Sequence, residues 1–421
     1  MDHPEAMDVR PREHPDRSLI DAEIHARPVR PLAGPLRVRR VAFMAESPRS
    51  QLPALRSALA ARQGAKLRQE TRQLEYESGG YQVTAEVHNE FATLTWIGPI
   101  GDWTPWPQDI GLDLFADMPV IAATRIDVVP SEVIADQALA GFDPLSLCYS
   151  ALYDGHAQAA TDFVIDGDRF TRFELAAGRS GELRRGVLVR RLLEIDTYRS
   201  LVLLGLPLAR SLAPQVQGLE ERLSAVTHEL ALGTSIGDNQ QSLDALHGLS
   251  LEVERTSDDV AFRFAATNAY VEVLRNRLVR LGEVSIGEFT TIARYLENRI
   301  DPAVATCQAL EKRLGALAAK LERSTELLNT RISLSIETQN QDVLDTISRT
   351  ARNQYRLQKT VEGLSIIAIS YYALALIGDV LSGAEPVLPF PREVMVALSA
   401  PVVLVVTWLA LRLLRRSEDE G

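Results

Sequence analysis

Residues 36–44, LRVRRVAFM, alternate apolar and polar side chains with the two-residue period of a strand. Residues 47–64, SPRSQLPALRSALAARQG, space their leucines as a helix does. RQLEYES, YQVTAEVH and FATLTWIG return to alternation, with Gly79 and Gly80 placed as one hairpin turn and His88, Asn89 and Glu90 near the next. PVIAATRIDVV, TDFVIDG and RFTRFELA read as further strands, the last two joined around Gly167, whereas residues 154–162, DGHAQAATD, read as a solvated loop. Residues 35–179 are therefore expected to form an α+β domain whose strands pair mostly as antiparallel neighbours.

From residue 180 the period lengthens to that of a helix. Ser180 stands as a cap, and Leu183, Val187, Leu192 and Ile195 share a face until Gly205 and Pro207 break it. A second helix extends to about Leu232, a third follows the GTSIGDNQQ turn, and a short one covers residues 286–300. Asp301 then caps a helix with Pro302 at its first position, and no proline interrupts the chain before Pro386. Such a stalk, about 80 residues long, reaches about 120 Å. Leu310, Leu314, Leu317, Leu321 and Leu328 recur at alternating three- and four-residue steps, with Ser324 at the missing position, a coiled-coil seam that suits packing against another helix. At SIETQNQD, residues 335–342, polarity rises, as in a stalk that packs loosely or meets partner subunits through polar contacts.

Two uncharged runs follow, GLSIIAISYYALALIG at 363–378 and VMVALSAPVVLVVTWLAL at 394–411. They measure roughly 24 and 27 Å as helices, close to the roughly 30 Å of a bilayer core. The pair reads as a transmembrane hairpin over 361–411, with residues 180–360 as helical bundle and stalk and 412–421 as a tail. Arg349, Arg352, Arg356 and Lys359 precede the first run and Arg412, Arg415 and Arg416 follow the second, which predicts both termini in the cytoplasm. Ser365, Tyr372 and Asp379 recur every seven residues and form a polar face on the first span, extended into the stalk by Gln358. In a bilayer that face must meet protein or water, either as a pore lining or as a hydrogen-bonded seam within the hairpin or between subunits.

Composition narrows the partners. The formal net charge is −11 and no basic patch is segregated along the chain, which argues against nucleic acid. Cys148 and Cys307 are too few and too far apart for a disulfide framework or a thiolate zinc site. Residues 1–34 form a partly disordered leader with no apolar export signal at the start.

Within that leader, DAEIHARPVRPL sets Glu23, His25 and Arg27 two residues apart. With His88 and Glu90 they supply metal-ligand residue types, conceivable as a site if the leader folds over the strands. The favoured reading is structural: His25 and Arg27 cap the sheet edge, and His88, Asn89 and Glu90 make a turn. Trp103 and Trp106 in WTPWPQD read as a cover over the edge of the core, with a small cleft as the alternative. No serine or cysteine sits in a nucleophile elbow, so no catalytic residue and no cofactor is assigned.

EIHARPVRPL, HNEFATLTW, RRLLEIDTYRSLVLLGLP and LQKTVEGLSIIAISYY resemble the signature segments of a bacterial family of uncharacterised membrane-anchored proteins, a domain-of-unknown-function family. The resemblance covers residues 14–416 and implies an inner-membrane protein with a large cytoplasmic part. In outline the chain is also similar to CorA-type magnesium channels. That family ends its first span with Gly-Met-Asn, where this sequence reads GDVLSGAEP, so the filter is missing. The expectation is a non-enzymatic, homo-oligomeric integral membrane protein whose cytoplasmic domain binds a partner or ligand. The alternative is a CorA-like cation channel carrying a divalent cation.

Overall fold

Among the described residues, ten strands pair into one sheet: β1 (Leu36–Met44), β2 (Lys66–Leu67), β3 (Gln73–Ser78), β4 (Tyr81–Val87), β5 (Phe91–Pro99), β6 (Val120–Val129), β7 (Cys148–Leu152), β8 (Ala157–Ile165), β9 (Thr171–Ala176) and β10 (Val284–Ser285). Their spatial order is β10-β7-β8-β9-β6-β1-β5-β4-β3-β2. The computed structural model describes residues 13–18, 20–21, 29–62, 66–67, 73–232, 236–384 and 391–418. Every pairing is antiparallel except β6 with β9. The helices are α1 (Pro48–Ala60), α2 (Asp136–Leu139), α3 (Glu182–Leu203), α4 (Gly205–Leu232), α5 (Ile236–Val279), α6 (Ile292–Ala384) and α7 (Arg392–Glu418). The chain is α+β, as the alternation predicts.

It divides into two compact units, residues 1–232 with 241–324 and residues 233–240 with 325–421. In the first, the two-residue period of β1 sends Leu36 and Val38 to one face and Val41 and Phe43 to the other. The first pair joins a core with Ile126, Phe173, Leu188 and Leu192, which also takes in Leu274 of α5 and Leu296 of α6. The second packs with Leu52, Leu55, Leu94 and Trp96 beneath α1. Both faces are covered, which is why β1 is buried almost end to end.

The hairpin turn between β3 and β4 is Gly79–Gly80, both at positive φ (59° and 83°), the conformation a two-residue turn of this kind demands. The expected loop over residues 154–162 is a correction. β8 begins at Ala157, because Ala157, Ala159 and Ala160 are small enough to be buried between β7 and β9. Nor does Ser180 cap α3: its hydroxyl donates to the His156 carbonyl (3.1 Å), and Gly181 precedes the helix instead.

The separate helices expected around Asp301 are one helix. α6 starts at Ile292, where the Glu283 carboxylate accepts the backbone N–H groups of Ile292 (3.1 Å) and Ala293 (2.8 Å) and satisfies a helix N-terminus from outside. Pro302 lies inside α6. A proline there costs about 3 kcal/mol. Ile300, Ala303, Val304 and Cys307 are all buried around it, and that burial outweighs the local cost. Asp301 pairs with Arg275 (2.8 Å) rather than capping. The leucine seam does find a helical partner: Leu310 and Leu314 pack with Ala209 and Val216 of α4 and Val260 and Phe264 of α5.

In the second unit, α6 and α7 carry segments long and apolar enough to cross a membrane. Ser370 and Gly378 are buried positions of the first, while Leu364, Ile367, Leu376, Val402 and Val406 stay exposed.

Candidate functional site

His88, Asn89 and Glu90 form the turn between β4 and β5, and their surroundings come largely from α5. Glu90 is 2 % exposed. Arg263 of α5, 173 positions away, donates to both its oxygens, at 3.3 and 2.7 Å. Burial, together with the hydrogen bond and charge of Glu90, raises the Tyr270 hydroxyl well above the ordinary tyrosine range. The His88 ring stacks on Phe91, centroids 4.1 Å apart, with Nε2 3.7 Å from Glu86. Burial alone would raise the Glu86 carboxyl, yet His88 and the Arg40 and Arg190 guanidinium groups outweigh it and hold the pKa down at about 2.

Beside these charge pairs opens a cleft of about 650 Å³, lined by Ser47 and Arg49 at the start of α1, by Asn89 and Glu90 of the turn, and by Phe262 and Arg263 of α5. A smaller hollow of about 290 Å³, between Leu52 and Arg56 of α1 and His88, adjoins the same turn. The Phe262 ring is 63 % exposed. An exposed aromatic wall over fixed ion pairs offers stacking and directed hydrogen bonds to whatever enters.

Of the residues singled out by the sequence, only His88 and Glu90 meet here. Glu23, His25 and Arg27 lie outside the described residues. Among the described residues, no three His, Cys, Asp or Glu side chains gather closely enough to hold a metal ion. Ser365, Tyr372 and Asp379 lie on α6, where Tyr372 is 68 % exposed and the Ser365 hydroxyl donates to the Val361 carbonyl (3.0 Å). Tyr371, Gly378 and Asp379 line a cleft of about 1000 Å³ with Pro391, Val396 and Ala397 across from them. Arg263, Tyr270 and Phe262 carry no signal in the sequence, since nothing in a helical repeat marks which turn will meet a β-hairpin.

A family model described as a protein of unknown function (DUF3422) matches residues 12–418. The chain belongs to that family. No curated protein matches it.

In this DUF3422 member a second charged row lies on the opposite face of the sheet. Antiparallel register sets Arg37 of β1 across from Asp127 of β6, and the two form a bidentate ion pair, Arg37 Nη2 lying 3.1 Å from Asp127 Oδ2. Arg39 reaches the Asp102 carboxylate at 3.1 Å, and the Tyr81 hydroxyl donates to the same oxygen at 2.8 Å. Burial lowers the Arg39 pKa, and Asp102 offsets part of that. Trp106 is the cover the sequence suggests: it packs on Phe170 and donates to the Asp168 carbonyl (3.2 Å). Trp103 is not. Its ring is 78 % exposed and rests over the Arg37 guanidinium at 5.0 Å. Both cysteines are free and buried, and burial pushes the Cys148 thiol up to about 12, which keeps it unreactive.

Proposed function

We propose that this protein is a non-enzymatic integral membrane protein, in which the α6–α7 hairpin anchors a cytoplasmic sheet domain that binds a partner or ligand. The observation that carries the reading is the exposure of the hairpin: Ile367, Leu376, Val402, Val406 and Leu409 turn outward with no protein cover. Exposed apolar surface on this scale is unfavourable in water and favourable in lipid. The basic residues flanking the two segments support an orientation with both ends of the hairpin on the cytoplasmic side, in this reading of a bacterial inner membrane. The binding surface in this reading is the cleft between Asn89 and Phe262, whose Glu90–Arg263 pair is committed to itself as a fixed recognition element.

Extraction decides the matter. The chain should stay with membranes in alkaline carbonate and leave only in detergent, and a tag after Gly421 should be cleaved by protease only once the membrane is opened. Release by carbonate, or cleavage from the outer side of intact cells, overturns the proposal.

A further inference from the structure

α6 changes character after Leu328. Up to Leu321 its three- and four-residue seam is buried within the first unit, and Leu328 is the last buried position of the series. The same spacing carried onward falls on Ser335, Thr338, Asp342, Asp345 and Arg349, all polar. A second seam starts one position over, at Ile336. It runs through Asn340, Val343, Ile347, Thr350, Gln354, Leu357 and Val361 to Leu364 in strict alternation of four and three. Every residue from Ile336 to Val361 is exposed, about seven turns of helix with no other described residue packed over any side. A lone helix of this kind gains no tertiary burial to hold it.

Charge is sorted around that seam. The core positions carry no charge, and the positions flanking them carry one, Glu337; Leu344, Thr346, Ala351, Asn353 and Gln358 are neutral. Asp342, Asp345, Arg349, Arg352, Arg356 and Lys359 all fall on the outer side. A partner helix bearing charged flanks would find nothing to pair with. A second copy of the same helix meets neutral flanks and avoids the like-charge repulsion that self-pairing otherwise brings.

We propose that this face is covered by a second copy of the chain, the two α6 helices pairing in parallel and in register as a two-stranded coiled coil over residues 336–364. Toward Leu364 the β-branched Val361 sits at one core position and Leu357 and Leu364 at the other, the order that favours two strands, whereas Ile336, Val343 and Thr350 hold that second position further up; Asn340 at a core position fixes register at some cost in stability. The parallel sense rests on the anchored reading, because two copies held in one bilayer point the same way. Counting in sevens from Ala351 and Gln358, one flank of the seam continues into Ser365, Tyr372 and Asp379. The polar flank at Ser365 and Tyr372 therefore borders the second copy instead of lipid, while Asp379, at the far end of the span, lines the cleft it shares with Pro391 and Val396 of the hairpin.

Single cysteines placed in the detergent-solubilised full chain test the pairing. The native Cys148 and Cys307 are buried and stay reduced. Under mild oxidation Ile347→Cys and Leu357→Cys should each gain a reducible dimer band, which Asp345→Cys and Arg352→Cys on the outer side lack. All four sites are exposed, so unchanged circular dichroism shows that the fold is intact. Light scattering of the unmodified protein should give two chains per particle. A monomer, a larger ring, a band at only one of the two seam sites, or equal bands at the outer sites each overturn the proposal. A chain that crosslinks as expected but washes off in carbonate sinks the anchored reading and leaves the pair standing.

Discussion

Glu86 is buried beside Arg40, Arg190 and His88, and its charge is decided by them. Its folded pKa of about 2 lies below the ordinary 4.5, so the ionised form is the one the fold stabilises. The contribution is complete above about pH 4.5 and is lost as pH falls through the folded value near 2. Denaturant melts over that range should show stability dropping with acid, and Glu86→Gln should be less stable at neutral pH and flatter below it. An acid slope identical to the unmodified protein removes Glu86 as the cause. The Glu90–Arg263 pair works differently: it joins the β4–β5 turn to α5 through two nearly buried charges, and such a pair contributes position more than net stability.

Two glycines show how closely the elements of the first unit approach. A Cβ on Gly186 in α3 would stand 2.0 Å from the Arg30 carbonyl oxygen, and backbone cannot yield as a side chain does. The same contact region holds Leu32 N–H on the Glu182 carbonyl (3.0 Å), so α3 and residues 29–32 meet backbone to backbone. Gly186→Ala should cost about 1–3 kcal/mol by overpacking. Gly218→Ala, in open space on α4, should be neutral or gain up to about 1 kcal/mol from helix propensity. Chemical denaturation of the two variants side by side reads the contrast, and equal effects would mean that helix propensity, not the close approach, governs position 186.

The two units have different means of stabilisation. The sheet domain owns the principal cores, built from β1 with α3 on one face and α1 on the other. Among its described residues the second unit has almost no buried apolar side chains of its own. A protease site introduced near Ser335 should therefore release a soluble fragment that keeps the sheet domain's circular dichroism and melting transition, while the hairpin remains in the pellet. A released fragment that unfolds shows that the sheet domain depends on residues beyond the cut.

Much of this was legible in the pattern of side chains. Alternation located β1, β3, β4, β5, β6 and β9, the glycine pair located a turn, and uncharged length located both apolar segments, because each of these signals is local and repeats at the period of the element it builds. The buried alanines of β8, the continuity of α6 through Pro302 and the pairing of Glu90 with Arg263 were not legible. Each depends on a neighbour distant in sequence: small residues become a strand only between two others, a proline stays in a helix only where packing outweighs it, and a carboxylate is matched only by the arginine that the fold delivers. Sequence determined the elements and the apolar hairpin; tertiary contact decided where helices end and which charges meet, since burial acts between segments and has no period along the chain.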